Sequence, residues 1–221
     1  MIREGRCAVR DLLQSYDWMA IPHFQRGLVW DSGSVALLLE SLYFGTPCGS
    51  ILLWRPDDLA KHLAKHGVAL GERPEYLIID GQQRIRSLHD VFGYDTADRA
   101  GRQEEAGQEQ EPEAVTGDSA GPADVWCLNL ARLPEFKGQF EDEGRFRLFG
   151  CHRDPLVPAA DDAGRPDLKQ RQALVPLQWF LEHASDPERL ERESRGTTAA
   201  AAVKAVLNSA SVQARLVSIV D

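Results

Sequence analysis

The segment YLIIDGQQRIRSL, residues 76–88, constrains the fold more than any other stretch of the chain. Tyr76 to Ile79 form an unbroken apolar run of the kind a buried strand presents. Ile85, Leu88, His89 and Phe92 then recur at the spacing of one helix face. Between them stands Asp80-Gly81-Gln82-Gln83-Arg84, so the polar cluster must sit where a core strand feeds a helix. A chain built around such a junction is expected to be α/β (α+β), a small mixed sheet with flanking helices.

The flanking sequence supplies the other elements. Residues 8–15 read as a short helix, and Pro22 and Gly27 in WMAIPHFQRGLVW favour an extended segment with turns. Asp31 or Ser32 can cap a helix over about 33–44, where Val35, Leu38, Leu39 and Leu42 share one face and Gly45 and Pro47 mark the stop. Residues 49–54 read as a strand, as do DVWCLNL and RFRLFG, with a loop or ribbon, LPEFKGQFEDEG, between the last two. PLQWFLEHA, DPERLERES and TTAAAAVKAVLNSA read as helices. VQARLVSIV, rich in Val, Leu and Ile, reads as a closing strand, which implies that the domain is truncated at Asp221. Residues 97–124 are mostly Glu, Gln, Gly, Ala and Pro with almost no large apolar side chain. They are expected to be a solvated, partly disordered insertion within a single domain spanning residues 1–221, and a second polar loop is expected over about 154–169.

Charge and cysteine usage narrow the function. With 25 Lys and Arg against 34 Asp and Glu, the net charge of −9 argues against broad phosphate-backbone binding as the main task, so any nucleic-acid contact must be local. Cys7, Cys48, Cys127 and Cys151 show no C-x-x-C pairing, which suits reduced thiols in a cytoplasmic protein. No stretch approaches the length of a membrane span.

The cluster has the parts of a nucleotide site. The first N–H groups of a helix lack intrahelical partners, and the helix dipole is positive there, so anions settle readily. Gly81 lets a phosphate approach the backbone, Arg84 offers a planar fork of donors, Asp80 can hold a divalent cation or orient water, and Gln82 and Gln83 donate and accept at once. A structural alternative uses the same residues. Asp80 can cap the helix, Gly81 can make the turn, and Arg84 can pair with Asp80 or Asp90. Upstream, Gln25 and Arg26 again interrupt an apolar context, with Trp30 four residues beyond; alone, this segment reads as a surface loop with Trp30 in the core.

Taken in order, IPHFQRGLVW, LLLESLYFGTPCGSILLW and YLIIDGQQRIRSLHDVFG resemble the N-terminal domain of the GmrS-like, GmrSD-type prokaryotic restriction proteins, which carry a DGQQR motif and belong to the ParB/sulfiredoxin-like superfamily. The resemblance implies a nucleoside triphosphatase that uses Mg2+ or Mn2+ and controls the cutting of modified foreign DNA in phage defence. It further implies catalytic roles for Asp80, Gln82, Gln83 and Arg84, with Asp80 as the metal ligand. Gly81, Arg84, Gln25 and Arg26 would bind nucleotide, and Gln25, His23 and Trp30 would sense a DNA modification. A His-Asn-His nuclease domain or subunit is the implied partner, because His23, His62, His66, His89, His152 and His183 are dispersed and form no such module here. A noncatalytic DNA-binding or assembly module that retains the pocket is the competing reading.

Two other motifs carry less. Gly150-Cys151-His152-Arg153 is similar to the catalytic motif of sulfiredoxin, which makes a sulfiredoxin-like reductase a third and lesser reading, because Asp154-Pro155 and Pro158 follow at once and no continuous amphipathic helix is expected to start there and activate the thiol. His62 and His66 lie four apart in DDLAKHLAKHG, without the Glu of a zinc-protease motif.

Overall fold

The computed structural model describes residues 4–63, 68–70, 73–92, 124–140, 147–153, 155–156 and 173–221. The polar insertion expected over 97–124, apart from its last residue, lies outside them, as do His66 and nearly all of the second polar loop. The chain divides into two compact units, one formed by residues 1–29 and 49–119 and the other by residues 30–48 and 120–221. The expected α/β character holds, with β-structure in two sheets, one in each unit.

The first unit holds a mixed four-stranded sheet in the order β2-β4-β1-β3. Its strands are β1 (Met19–Ile21), β2 (Leu52–Trp54), β3 (Val68–Ala69) and β4 (Tyr76–Asp80). β1 and β4 run parallel, with Met19 opposite Tyr76 and Ala20 opposite Leu77, while β2 and β3 add antiparallel edges. Besides the short α3 (Leu59–Leu63), two helices, α1 (Val9–Gln14) and α4 (Gln82–Phe92), lie against one another, and Tyr16 stacks on His89 at 3.8 Å and 15°. Tyr16, Met19, Ile21, Leu70, Ile78 and Ile85 form the core, with Leu12 and Ile51 packed on it. Ile85, fully buried, fixes the first turn of α4 to the sheet, so the polar residues before it are held by apolar packing on both sides.

The strand expected over 49–54 is shorter than the sequence suggested. Gly49 has φ +92°, which interrupts extended pairing, and the register shifts between Leu52 and Leu53. The loop before it is thereby turned toward the end of β4.

The second unit contains α2 (Ser32–Tyr43), which Asp31 caps by accepting from the Ser34 N–H at 2.8 Å and the Ser34 hydroxyl at 2.7 Å. Its buried face, Val35, Ala36, Leu38, Leu39 and Tyr43, packs on an antiparallel sheet in the order β6-β5-β7. These strands are β5 (Asp124–Asn129), β6 (Phe149–Arg153) and β7 (Leu174–Pro176). Tyr43 meets Phe149 edge-on at 5.8 Å. Four helices follow, over Leu177–His183, Pro187–Ser194, Ala200–Leu207 and Ala210–Val217.

Two expectations are corrected here. The strand expected over RFRLFG lies further along, because pairing with Asp124–Leu128 sets it at Phe149–Arg153, where the polar Cys151, His152 and Arg153 disguise an edge strand. The closing segment is helical, not a strand: Val212, Leu216 and Ile219 recur at four and three and are all buried, so packing on one helix face outweighs the β-preference of its Val and Ile residues.

Candidate functional site

The first unit gathers three backbone segments around the end of β4. Asp80 is the last residue of the strand, Gly81 turns the chain with φ +93°, and α4 begins at Gln82. The Gly81 carbonyl accepts the first helical bond from the Ile85 N–H at 3.0 Å. A side chain on Gly81 would collide with Ile51, its Cβ falling 2.9 Å from Ile51 Cγ1 and 3.2 Å from Ile51 Cα. Both the positive φ and the close approach demand glycine.

Arg84 reaches back from the first turn of α4. Its Nη2 donates to the Ser50 carbonyl at 2.5 Å and to Asp80 Oδ2 at 3.0 Å. A Cβ on Gly49 would lie 2.8 Å from Arg84 Nη1, so the guanidinium occupies the space that this glycine leaves open. Asp80 stays open to solvent, with its side chain 68% exposed against 20% for Arg84. The pairing of Arg84 with Asp80 that the structural alternative required is present, and it leaves the carboxylate accessible.

The glutamines bind backbone. Gln82, only 5% exposed, donates from Nε2 to the Arg26 carbonyl at 3.1 Å. Gln83 uses both ends of its amide, donating from Nε2 to the Gly27 carbonyl at 3.0 Å and accepting at Oε1 from the Val29 N–H at 3.1 Å. Gln25 donates from Nε2 to the Ile79 carbonyl at 2.7 Å. The loop over residues 25–29 is thus laid against the strand–helix junction by side-chain amides. Two buried polar atoms at the junction have no hydrogen-bond partner among the described residues: Gln82 Oε1 and Arg84 Nε. A buried acceptor and a buried donor left unmatched each carry a desolvation cost that a polar partner would relieve.

The structure therefore joins Gln25, the Arg26 backbone and all five residues from Asp80 to Arg84. His23 and Trp30 are placed otherwise. His23 is exposed and meets Phe24 edge-on at 5.6 Å, and Trp30 opens the segment that belongs to the second unit. Gly49 and Ser50, which shape and hold Arg84, were missed as site residues because PCGSI reads as the start of a strand; the glycine beside a proline-containing turn was the available signal. Cys151 lies in the middle of β6, not at a helix start, and His152 folds over Gly150. That environment offers none of the thiol activation a helix N-terminus would give.

Among the described residues no three His, Cys, Asp or Glu side chains gather into a group that could hold a metal ion alone. Also among them, no helix is long and apolar enough to cross a membrane.

Comparison with known families decides what this junction belongs to. Residues 9–154 match the GmrSD restriction endonuclease, N-terminal domain. The chain belongs to this family. The match takes in the loop over 25–29, the junction at 80–84 and the strands β5 and β6, and membership in the GmrSD family ties the chain to a DNA-targeting restriction system. No curated protein is significantly similar to the chain.

Proposed function

We propose that this GmrSD N-terminal domain binds and hydrolyses a nucleoside triphosphate at the end of β4 and uses that turnover to govern restriction of modified DNA. The observation that carries the reading is the exposed Asp80 carboxylate beside the Arg84 guanidinium at the opening of α4, on a turn that only glycine can make. Phosphate oxygens would meet the first N–H groups of α4 and Arg84, whose buried Nε has no partner among the described residues. Asp80 fits a divalent cation as a single carboxylate ligand, since Mg2+ bound with nucleotides commonly takes one or two carboxylates, with water and phosphate completing its shell. Such an ion, Mg2+ or Mn2+, would neutralise charge on the phosphate oxygens. Gln82 Oε1 is the acceptor left to receive a donor from ligand or water.

Phosphate release from a panel of nucleoside triphosphates with Mg2+ tests this. Wild type should turn over at least one of them slowly, and Asp80→Ala or Arg84→Ala should lower the rate at least about tenfold with the fold intact, because each removes charge stabilisation rather than core packing. Unchanged turnover in folded variants would overturn the assignment.

The noncatalytic DNA-binding or assembly module remains a second reading, favoured by one observation. Much of the hydrogen-bonding capacity of Gln25, Gln83 and Arg84 is spent on backbone. On that reading nucleotide binds, raising the melting temperature, but is not consumed.

Recognition of DNA would be local. The net charge of −9 leaves little for nonspecific phosphate contact, so a modified group rather than the duplex would be the ligand, read near His23, Gln25 and Arg26. A His-Asn-His nuclease, as a further domain or a separate subunit, would do the cutting, in the cytoplasm of a prokaryote where foreign DNA arrives. Stimulation of turnover by modified but not unmodified duplex is the expected result; equal stimulation by both would remove the sensor role.

A further inference from the structure

The two adjacent glutamines of the junction are chemically identical and differently employed. Gln82 keeps a buried, unpartnered Oε1, whereas Gln83 has its Nε2 on the Gly27 carbonyl and its Oε1 on the Val29 N–H. A side chain that bridges a carbonyl and an N–H two residues apart behaves as a short piece of β-ladder. Gln25 pins the other end of the same loop to Ile79, and Gln82 holds its middle through Arg26. Four amide-to-backbone bonds thus fasten five loop residues to a strand end and a helix start more than fifty positions away.

We infer that Gln83 and Gln25 are positioning residues, which dock the loop over residues 25–29 onto the strand–helix junction, and that Gln83 is not a ligand-contacting group. This rests on the nucleotide reading above only for its kinetic consequence. The docked loop sets where Arg26 stands relative to Asp80 and Arg84. Its apolar residues Leu28 and Val29 are 46% and 59% exposed, and Phe24 just before it 60%, so without side-chain anchors little apolar burial would hold it in place. The role needs an amide. A carboxylate at position 83 can still accept from Val29 but cannot donate to Gly27, and an apolar side chain can do neither.

The test uses the whole chain without ligand first. Residue-resolved amide exchange should show the Val29 N–H exchanging about threefold to tenfold faster in Gln83→Ala, the loss expected for one hydrogen bond, and faster than wild type but less so in Gln83→Glu, which keeps the acceptor for Val29 and sets an oxygen against the Gly27 carbonyl. Amides of Ile85 to Phe92 serve as the control that α4 is folded. Turnover is then measured with Mg2+ and the best nucleoside triphosphate. Gln83→Ala should act mainly on KM, raising it several-fold, while Asp80→Asn acts on kcat. Unchanged Val29 exchange in Gln83→Ala, or a collapse of kcat in that variant matching Asp80→Asn, would overturn the positioning role. If wild type shows no turnover, the nucleotide reading falls and the exchange result alone decides the docking.

Discussion

Replacing Gly81 with alanine isolates the backbone requirement of the site from its charges. The residue sits at φ +93°, a conformation that costs an L-residue about 1–2 kcal/mol. The new Cβ would also stand 2.9 Å from Ile51 Cγ1 and 3.2 Å from Ile51 Cα. Rotating the Ile51 side chain relieves only the first of these, because the second is main chain and Ile51 packs on the core. Overpacking of this kind adds about 1–3 kcal/mol. Alanine returns about 0.4–1 kcal/mol by restricting the unfolded chain. The balance is a destabilisation of about 3 kcal/mol, within bounds of about 1–5, a large fraction of the roughly 5–15 kcal/mol that holds a domain together.

Gly27→Ala is the matched control in the same unit. No atom of the described residues lies within 4 Å of the position its Cβ would take, and its φ is not positive, so it should fall within about 0.5 kcal/mol of wild type. Urea unfolding followed by far-ultraviolet circular dichroism and tryptophan fluorescence measures both. Heating should show Gly81→Ala melting roughly 5–15 °C below wild type. A Gly81→Ala protein as stable as Gly27→Ala would refute the reasoning, since neither the strain nor the Ile51 contact would then exist in solution.

Three further outcomes are expected. Gly49→Ala should be destabilising in the wild-type background and less so in Arg84→Ala, because the nearest atom to its Cβ is Arg84 Nη1 at 2.8 Å; additive effects in the double-mutant cycle would deny that contact. Ala214→Pro, on the exposed side of the last helix, should cost about 3 kcal/mol or more by removing a helical bond, and Leu216→Ala about 2–5 kcal/mol by emptying a buried site; a tolerated proline would mean that this segment is not a continuous helix. The bonds from Ser34 hold the Asp31 carboxyl below its ordinary value of 3.8, so its cap stabilises fully above that pH and is lost as the pH falls through the lower folded value. Melting temperatures of wild type and Asp31→Ala should accordingly differ at pH 6 and converge only under strongly acidic conditions, well below about pH 4.

The core junction was legible because its two periodicities are strong and adjacent. Leu77, Ile78 and Ile85 are fully buried, and the run from Tyr76 to Phe92 leaves little freedom in where the strand ends and the helix begins. The helix after Asp31 was legible for the same reason, with a capping side chain at one end and Gly45 at the other. Short edge elements were not. β3 has two residues and β6 ends in Cys-His-Arg; each exists because a neighbouring strand offers it a ladder, which is a property of the partner and not of the segment. The last helix misled because Val, Leu and Ile mark burial in either conformation, and only their spacing of four and three, read against a buried face, separates helix from strand.

The site itself was legible as a set of residues and not as a set of roles. An Asp, a Gly and an Arg in this order can be assigned chemistry from their types, because a carboxylate, a positive φ and a guanidinium each do few things well. An amide does several. Gln25, Gln82 and Gln83 could each contact ligand, loop or neither, and what decides among these is which backbone groups stand within about 3 Å, set by pairing across more than fifty residues of chain. The strain at Gly81, the anchor on Ser50 and the ladder made by Gln83 serve one end: the segments around residues 25–29, 49–50 and 80–84 are held together, and among the described residues Gln82 Oε1 and Arg84 Nε are left without a partner. A fold that satisfied those two atoms internally would be more stable, and on the nucleotide reading it would offer a ligand fewer partners.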